Sequence, residues 1–118
     1  MSILIVDDEA ITLMNLEEAL RARGMDVETA LDAESALRIS RKKAWDVFLL
    51  DLNLPQMGGL ELCRRLRRDF PDSRIIAITG YPSQFEFKTC REAGFDGYFA
   101  KPLHVGILFD TIIRKPLP

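Results

Sequence analysis

The residues able to do chemistry in this sequence sit just after short apolar runs. Ile3-Leu4-Ile5-Val6 runs into Asp7-Asp8-Glu9, and Val47-Phe48-Leu49-Leu50 into Asp51. Ile75-Ile76-Ala77-Ile78 is followed by Thr79-Gly80, and Gly97-Tyr98-Phe99-Ala100 by Lys101-Pro102. Uncharged apolar runs bounded by turn signals read as buried strands of a parallel sheet. Parallel strands end on one edge, so these groups share one rim, where ligands bind in open α/β sheets. Three or more carboxylates around one point repel each other unless a cation joins them. Hard oxygen ligands in a wet cleft suit Mg²⁺, and there is no His or Cys near the tips to suggest zinc. Lys101 and the Thr79 hydroxyl complete a pocket for a small tetrahedral anion. The chemistry expected is phosphoryl transfer to a carboxylate. Asp51 attacks in line, Lys101 and the cation neutralise the phosphoryl oxygens, and Thr79 donates a hydrogen bond. Gly80 leaves room for the donor. The acyl phosphate adds about −1.5 to −2 charge, which draws the hydroxyl and its loop inward.

The elements that must position these groups alternate. After the strand at 3–6, a helix at 10–23 repeats Ile11, Leu13, Leu16, Ala19 and Leu20, and Gly24 stops it. Half-polar alternation at 25–30 reads as an edge strand. Asp32 caps a helix ending near Lys43. Trp45 is read as packing. Gly58-Gly59 opens a third helix with Leu60, Leu62, Cys63 and Leu66 apolar, stopped by Phe70-Pro71-Asp72. Its Arg64, Arg65, Arg67 and Arg68 read as a solvated face. A fourth helix at 83–93 carries Phe85, Phe87 and Cys90 off any clean stripe, and Gly94 stops it. A last helix covers 105–114 and ends at Pro116; His104 before it is expected at the surface or as a cap. Five strands and five helices in strict alternation mean an α/β fold, a parallel sheet covered on both faces. Val105, Ile107, Leu108, Ile112 and Ile113 exceed one buried stripe, which suggests self-association through that face.

Four segments also carry a resemblance: 3–9 (Ile-Leu-Ile-Val-Asp-Asp-Glu), 49–59 (Leu-Leu-Asp-Leu-Asn-Leu-Pro-Gln-Met-Gly-Gly), 78–80 (Ile-Thr-Gly) and 98–103 (Tyr-Phe-Ala-Lys-Pro-Leu). In this order, over essentially all 118 residues, the chain resembles a response-regulator receiver domain of the two-component signalling, CheY-like family. The resemblance implies a doubly wound, flavodoxin-like sheet in the order 2-1-3-4-5. It implies Asp51 as phosphoacceptor, Asp8 as a direct Mg²⁺ ligand, Asp7 mostly through water, and the Asn53 backbone carbonyl as a further ligand. Thr79 and Lys101 take the places of the switch hydroxyl and the phosphate-pairing lysine. Tyr98 takes that of the aromatic that turns inward when Thr79 moves. A cis Lys101-Pro102 bond is implied as well. Glu9 reads as a first-turn acid favoured by the helix dipole. Leu103 stands where an aromatic is common. Tyr81 is bulky, and we expect it to shield the acyl phosphate. A histidine kinase or phosphotransfer protein is the implied donor, docking near the rim and the first helix. Output is implied through the fourth helix, Tyr98 and the last helix.

The remaining numbers bound the function. At 118 residues one domain is expected over 1–118, with 115–118 (Lys-Pro-Leu-Pro) a tail or the start of a linker to an output domain. Sixteen basic and 18 acidic residues give a net charge of −2, which argues against nucleic-acid binding by this chain. Cys63 and Cys90 lack metal-ligand spacing and read as reduced. No apolar run reaches the roughly 18 residues of a membrane span, and no leader is recognisable. The cytoplasm is the expected location. The chain is not expected to be a turnover enzyme, since it modifies only itself. Two rivals remain: a constitutive interaction module with this fold, and a Mg²⁺-dependent phosphatase with an Asp nucleophile. The acid pair, Thr79 and Lys101 count against the first. Asn53 counts against the second, because it stands where such an enzyme needs a general acid. No Gly-rich turn follows the first strand, which disfavours a dinucleotide fold.

Overall fold

A computed structural model describes residues 1–114, with Phe85 described by its backbone alone. Five strands form one sheet: β1 (Ser2–Val6), β2 (Asp26–Ala30), β3 (Val47–Asp51), β4 (Arg74–Thr79) and β5 (Gly97–Ala100). All neighbours pair in parallel, in the order β2-β1-β3-β4-β5. The helices between and after them are α1 (Ala10–Arg21), α2 (Ala33–Ser40), α3 (Gly59–Asp69), α4 (Gln84–Ala93) and α5 (Val105–Ile113).

The twofold period of a strand explains why the inner runs carry no charge. Leu4, Val6, Phe48, Leu50, Ile75 and Ala77 point to one face, into a core with Leu62, Cys63, Leu66 and Cys90. Ile3, Ile5, Val47, Leu49, Ile76 and Ile78 point to the other, against Leu13, Leu16, Leu20, Leu108 and Ile112. A strand buried on both faces has no room for a polar side chain until it leaves the core. Asp7, Asp51 and Thr79 stand where that happens.

Helix ends depart from the expected bounds for local reasons. α1 stops at Arg21 because its last turn tightens: Arg23 N donates to Leu20 O and Gly24 N to Arg21 O, with Gly24 at φ 86. α2 stops at Ser40, not near Lys43. There the Ser40 hydroxyl donates back to Leu37 O, and the buried Trp45 Nε1 donates to Ser40 O. Asp32 caps α2 through Ser35 N at 2.8 Å, and His104 Nδ1 caps α5 through Ile107 N. Within α5, Leu108 and Ile112 are buried while Ile107 and Ile113 are exposed. The apolar surplus of that helix therefore faces outward. Pro116, the 115–118 tail and the Phe85 side chain lie outside the described residues.

The arginine face of α3 needs one correction. Arg64, Arg65 and Arg68 are exposed, but Arg67 is tied down by its whole fork. Its Nε and Nη2 donate to Gly94 O, and its Nη1 donates to Pro71 O and Ser73 O. Nη2 also reaches Asp96 Oδ2 at 2.7 Å, and that oxygen accepts from Ile75 N. A planar five-donor group can serve several fixed acceptors at once. No described helix is long and apolar enough to cross a membrane.

Candidate functional site

The rim at the C-terminal ends of β1, β3, β4 and β5 gathers the groups read from the sequence. Asp51 is the last residue of β3 and is buried, its Oδ1 accepting from Asn53 N at 2.9 Å. That bond turns the chain out of the sheet and leaves Oδ2 facing Lys101 Nζ at 3.1 Å. Asp7 is fully buried, its Oδ1 accepting from Glu9 N at 2.9 Å. Asp8 and Glu9 are exposed. The loop after Asp51 is pinned from behind. Leu52 N donates to Ile78 O, and Gly59 N to Leu52 O. A Cβ on Gly59 would lie 2.5 Å from Asp51 O and 2.8 Å from Leu52 Cα, so only glycine lets α3 start this close to the strand tip.

Lys101 is the centre of the charge pattern. Its Nζ lies 2.8 Å from Glu9 Oε1, 3.0 Å from Asp7 Oδ2 and 3.1 Å from Asp51 Oδ2. Burial alone would pull its pKa down, but the Glu9, Asp7 and Asp51 carboxylates outweigh that and hold it above the ordinary lysine value. Asp7 is pushed up, by burial first and then by the Asp51 charge, against the opposing Glu9 N–H and Lys101. Glu9 corrects the sequence reading. It occupies the N-cap of α1, but its side chain makes no cap bond there, and its carboxylate reaches Lys101 across the rim.

Three acids therefore contact one ammonium, and Asp8 stands beside them. Single oxygens of Asp7, Asp8, Glu9 and Asp51 lie within 4.8 Å of one another, a grouping able to hold a metal ion. Asp7 Oδ2 shows that the donor set fits one. Among the described residues it is the one buried side-chain oxygen or nitrogen without a hydrogen bond, its contact with Lys101 being ionic only. Carboxylate oxygens with an unfilled lone pair suit a hard divalent cation. A cleft of about 410 Å³ opens over the group, lined by Asp8, Glu9, Asp51, Asn53, Gly80, Tyr81 and Lys101.

The other named residues lie close by. Thr79 is fully buried, and its Oγ1 accepts from Tyr81 N at 3.0 Å instead of lining the cleft. Its carbonyl accepts from Lys101 N at 2.7 Å, which joins the hydroxyl's strand to the lysine's. Lys101-Pro102 is cis. A Cβ on Gly80 would meet nothing within 4 Å, so that approach is open. Tyr81 is 77% exposed at the mouth. Leu103 packs against the α1 and α5 core. Tyr98 is half-buried on β5 and does not line the cleft. Its hydroxyl donates to Glu86 Oε1 at 2.7 Å and accepts from Ser83 N at 3.3 Å, and Phe87 packs edge-on to its ring. Burial, then the Glu86 bond, raises the Tyr98 pKa. Burial likewise raises Cys63 to about 12 and Cys90 to about 11, so both thiols are inert at neutral pH.

Two partners escaped the sequence reading. The contact of Glu9 with Lys101 spans 92 positions and leaves no local signal. Glu86 did leave one, the Ser83-x-x-Glu86 spacing of a capping box.

The chain matches the family model described as "Response regulator receiver domain" over residues 3–113. It is 36% identical over 116 residues to the alkaline phosphatase synthesis transcriptional regulatory protein PhoP of Bacillus subtilis, covering 96% of this chain and 48% of that protein. The chain spans about half the length, or less, of the curated relatives it matches. A CheY-like response regulator receiver domain protein from Methanospirillum hungatei superposes with a TM-score of 0.89 at 32% identity, covering 94% of this chain and 89% of that one. A response regulator protein from Burkholderia pseudomallei, solved with a phosphorylated aspartic acid, calcium ion and citrate, gives a TM-score of 0.89 at 30% identity. The match covers 94% of this chain and 65% of that one.

Proposed function

For a chain that belongs to the family of response regulator receiver domains, the phosphorylation-activated receivers of two-component signalling, we propose that Asp51 is the phosphoacceptor and that 1–118 form one domain around it. The supporting observation is the pairing of Asp51 Oδ2 with Lys101 at the floor of an open cleft. A carboxylate oxygen attacks the phosphorus in line. A new P–O bond forms as the donor's P–N bond, or the P–O bond of a small acyl phosphate, breaks and the electron pair leaves with the donor. Lys101 then moves its charge from Asp51 to the phosphoryl oxygens. The Asp7, Asp8 and Asp51 carboxylates, with the Asn53 backbone carbonyl, would hold Mg²⁺, which supplies neutralising charge to the acids and the phosphoryl group.

Thr79 gives up its bond from Tyr81 N and donates its hydroxyl to a phosphoryl oxygen, and Tyr98 turns into the space Thr79 leaves. The same residues serve hydrolysis, so the domain assists its own phosphorylation and dephosphorylation without being a turnover enzyme. The donor is a histidine kinase or phosphotransfer protein of the cytoplasm. Output runs through α4, β5 and α5, where exposed Phe87, Ile107 and Ile113 support a homodimer. Transcription regulation would belong to an output domain elsewhere in the full protein; a net charge of −2 does not favour direct nucleic-acid contact here.

The test is incubation with phosphoramidate or acetyl phosphate and Mg²⁺, read by intact mass. Wild type gains one phosphoryl group, and Asp51→Asn and EDTA each abolish it. No adduct on wild type, or an undiminished one on Asp51→Asn, sinks the proposal.

A further inference from the structure

The N-terminus of α4 and the Tyr98 side chain form one closed hydrogen-bond ring. Ser83 is the N-cap, and its Oγ accepts from Glu86 N at 3.0 Å. In a Ser-x-x-Glu capping box the Glu side chain returns this bond by accepting from the Ser backbone N–H. Here the return bond is interrupted. Ser83 N donates to Tyr98 Oη at 3.3 Å, and Tyr98 Oη donates to Glu86 Oε1 at 2.7 Å. The tyrosine hydroxyl is inserted between the two halves of the box as a one-oxygen relay, its ring held by the edge-on contact with Phe87 at 5.4 Å.

The same three groups define a second arrangement. If the tyrosine ring withdraws, the Glu86 carboxylate is one hydroxyl away from the Ser83 N–H, and rotation of a partly exposed side chain closes the box directly. Ser83 N then exchanges one acceptor for another. Without Glu86, withdrawal leaves that amide to solvent.

We propose that Glu86 is a positioning residue with two alternating partners. It accepts the Tyr98 hydroxyl while the ring points outward, and it replaces that hydroxyl at the Ser83 N–H when the ring leaves. The N-terminus of α4 is therefore capped in both positions of the tyrosine. This rests on the Tyr98 switch proposed above. It assigns Glu86 the task of keeping the output helix intact while a neighbouring side chain changes place.

The experiment is amide hydrogen exchange at Ser83, followed by NMR on the 118-residue chain. Tyr98→Phe removes the hydroxyl without phosphate or metal, and Ser83 is expected to stay protected because Glu86 takes over. Glu86→Ala alone is expected to stay protected through Tyr98. The double variant loses both acceptors, and Ser83 exchanges roughly tenfold faster. Glu86→Gln, whose amide oxygen accepts in both positions, behaves as wild type. A Tyr98→Phe loss as large as that of the double variant overturns the proposal. With beryllofluoride and Mg²⁺ in place of phosphate, wild type stays protected and Glu86→Ala loses protection; equal protection in the two overturns it. Failure of the Asp51 reading looks different. It shows as no phosphoryl adduct by mass and leaves the Tyr98→Phe and double-variant results unchanged.

Discussion

Each end of the sheet fixes a partly buried cation, Arg67 at one and Lys101 at the other, and the two are held in opposite ways. At the N-terminal edge Arg67 meets three main-chain carbonyls and Asp96, all fixed by the fold. At the C-terminal rim Lys101 is shared among Glu9, Asp7 and Asp51, and one Asp7 oxygen is left without a hydrogen bond. The guanidinium is a rigid fork matched to its acceptors, while the ammonium is a point charge with rotatable donors. One end is saturated and supplies stability. The other holds more negative charge than its cation balances, so it has something to gain from a divalent ion and a phosphoryl group.

Four substitutions, with Arg68→Ala as a control for one of them, can break or sharpen that contrast. The largest effect is expected for Lys101→Ala, which slows phosphorylation from phosphoramidate roughly a hundredfold without a matching loss of fold. A change of under twofold in the rate of adduct growth would remove Lys101 from the chemistry. Arg67→Ala should cost about 1–2 kcal/mol in urea unfolding, because the part-buried carbonyls of Gly94 and Ser73 lose their donor, while Arg68→Ala costs little. If the two unfold alike, the clamp at the N-terminal edge contributes nothing special. Asp7→Asn should move stability the other way, by about 1 kcal/mol in divalent-free buffer.

The sign for Asp7 follows from its raised pKa. Such a group contributes stability when protonated, below the ordinary aspartate range, and loses it as pH rises through the raised value. Asn therefore gains most at neutral pH, less in acid, and less again with Mg²⁺. Destabilisation at neutral pH without metal would contradict the picture of a strained rim. Tyr81→Ala should have the smallest effect, a several-fold faster loss of phosphate from Asp51, since a side chain so exposed shields only partly. Release no faster than wild type would clear Tyr81 of that role.

The sheet was readable because its inner strands are buried on both faces, so that a run such as Val47–Leu50 admits no charge until Asp51 ends it. The same physics placed Asp7, Thr79 and Lys101 on one rim without any contact being known. What the sequence hid was pairing by long side chains. Arg67 looks like its neighbours Arg64 and Arg68 until the turn at Gly94 and the carboxylate of Asp96 arrive beneath it from 27 and 29 residues away. Glu9 is legible as an acid near a helix start, and only the fold brings Lys101 to it. Helix ends at Arg21 and Ser40 depended on a few local turn and side-chain bonds that hydrophobic period does not encode. Glu86 was legible in part, since its spacing from Ser83 marks a cap, but the hydroxyl that enters that cap comes from another strand.

The close approach at Gly59 has a consequence for how this sequence can vary. Positions 58 and 59 look equivalent in the chain, two glycines before a helix. A Cβ at 58 would meet only Leu52 O, at an ordinary 3.7 Å, whereas one at 59 would enter the main chain that carries Asp51. A library randomised at both positions and selected for folded protein would return many residues at the first and glycine at the second. A side chain gained at 59 would alter the address of the carboxylate before it altered the stability of the helix.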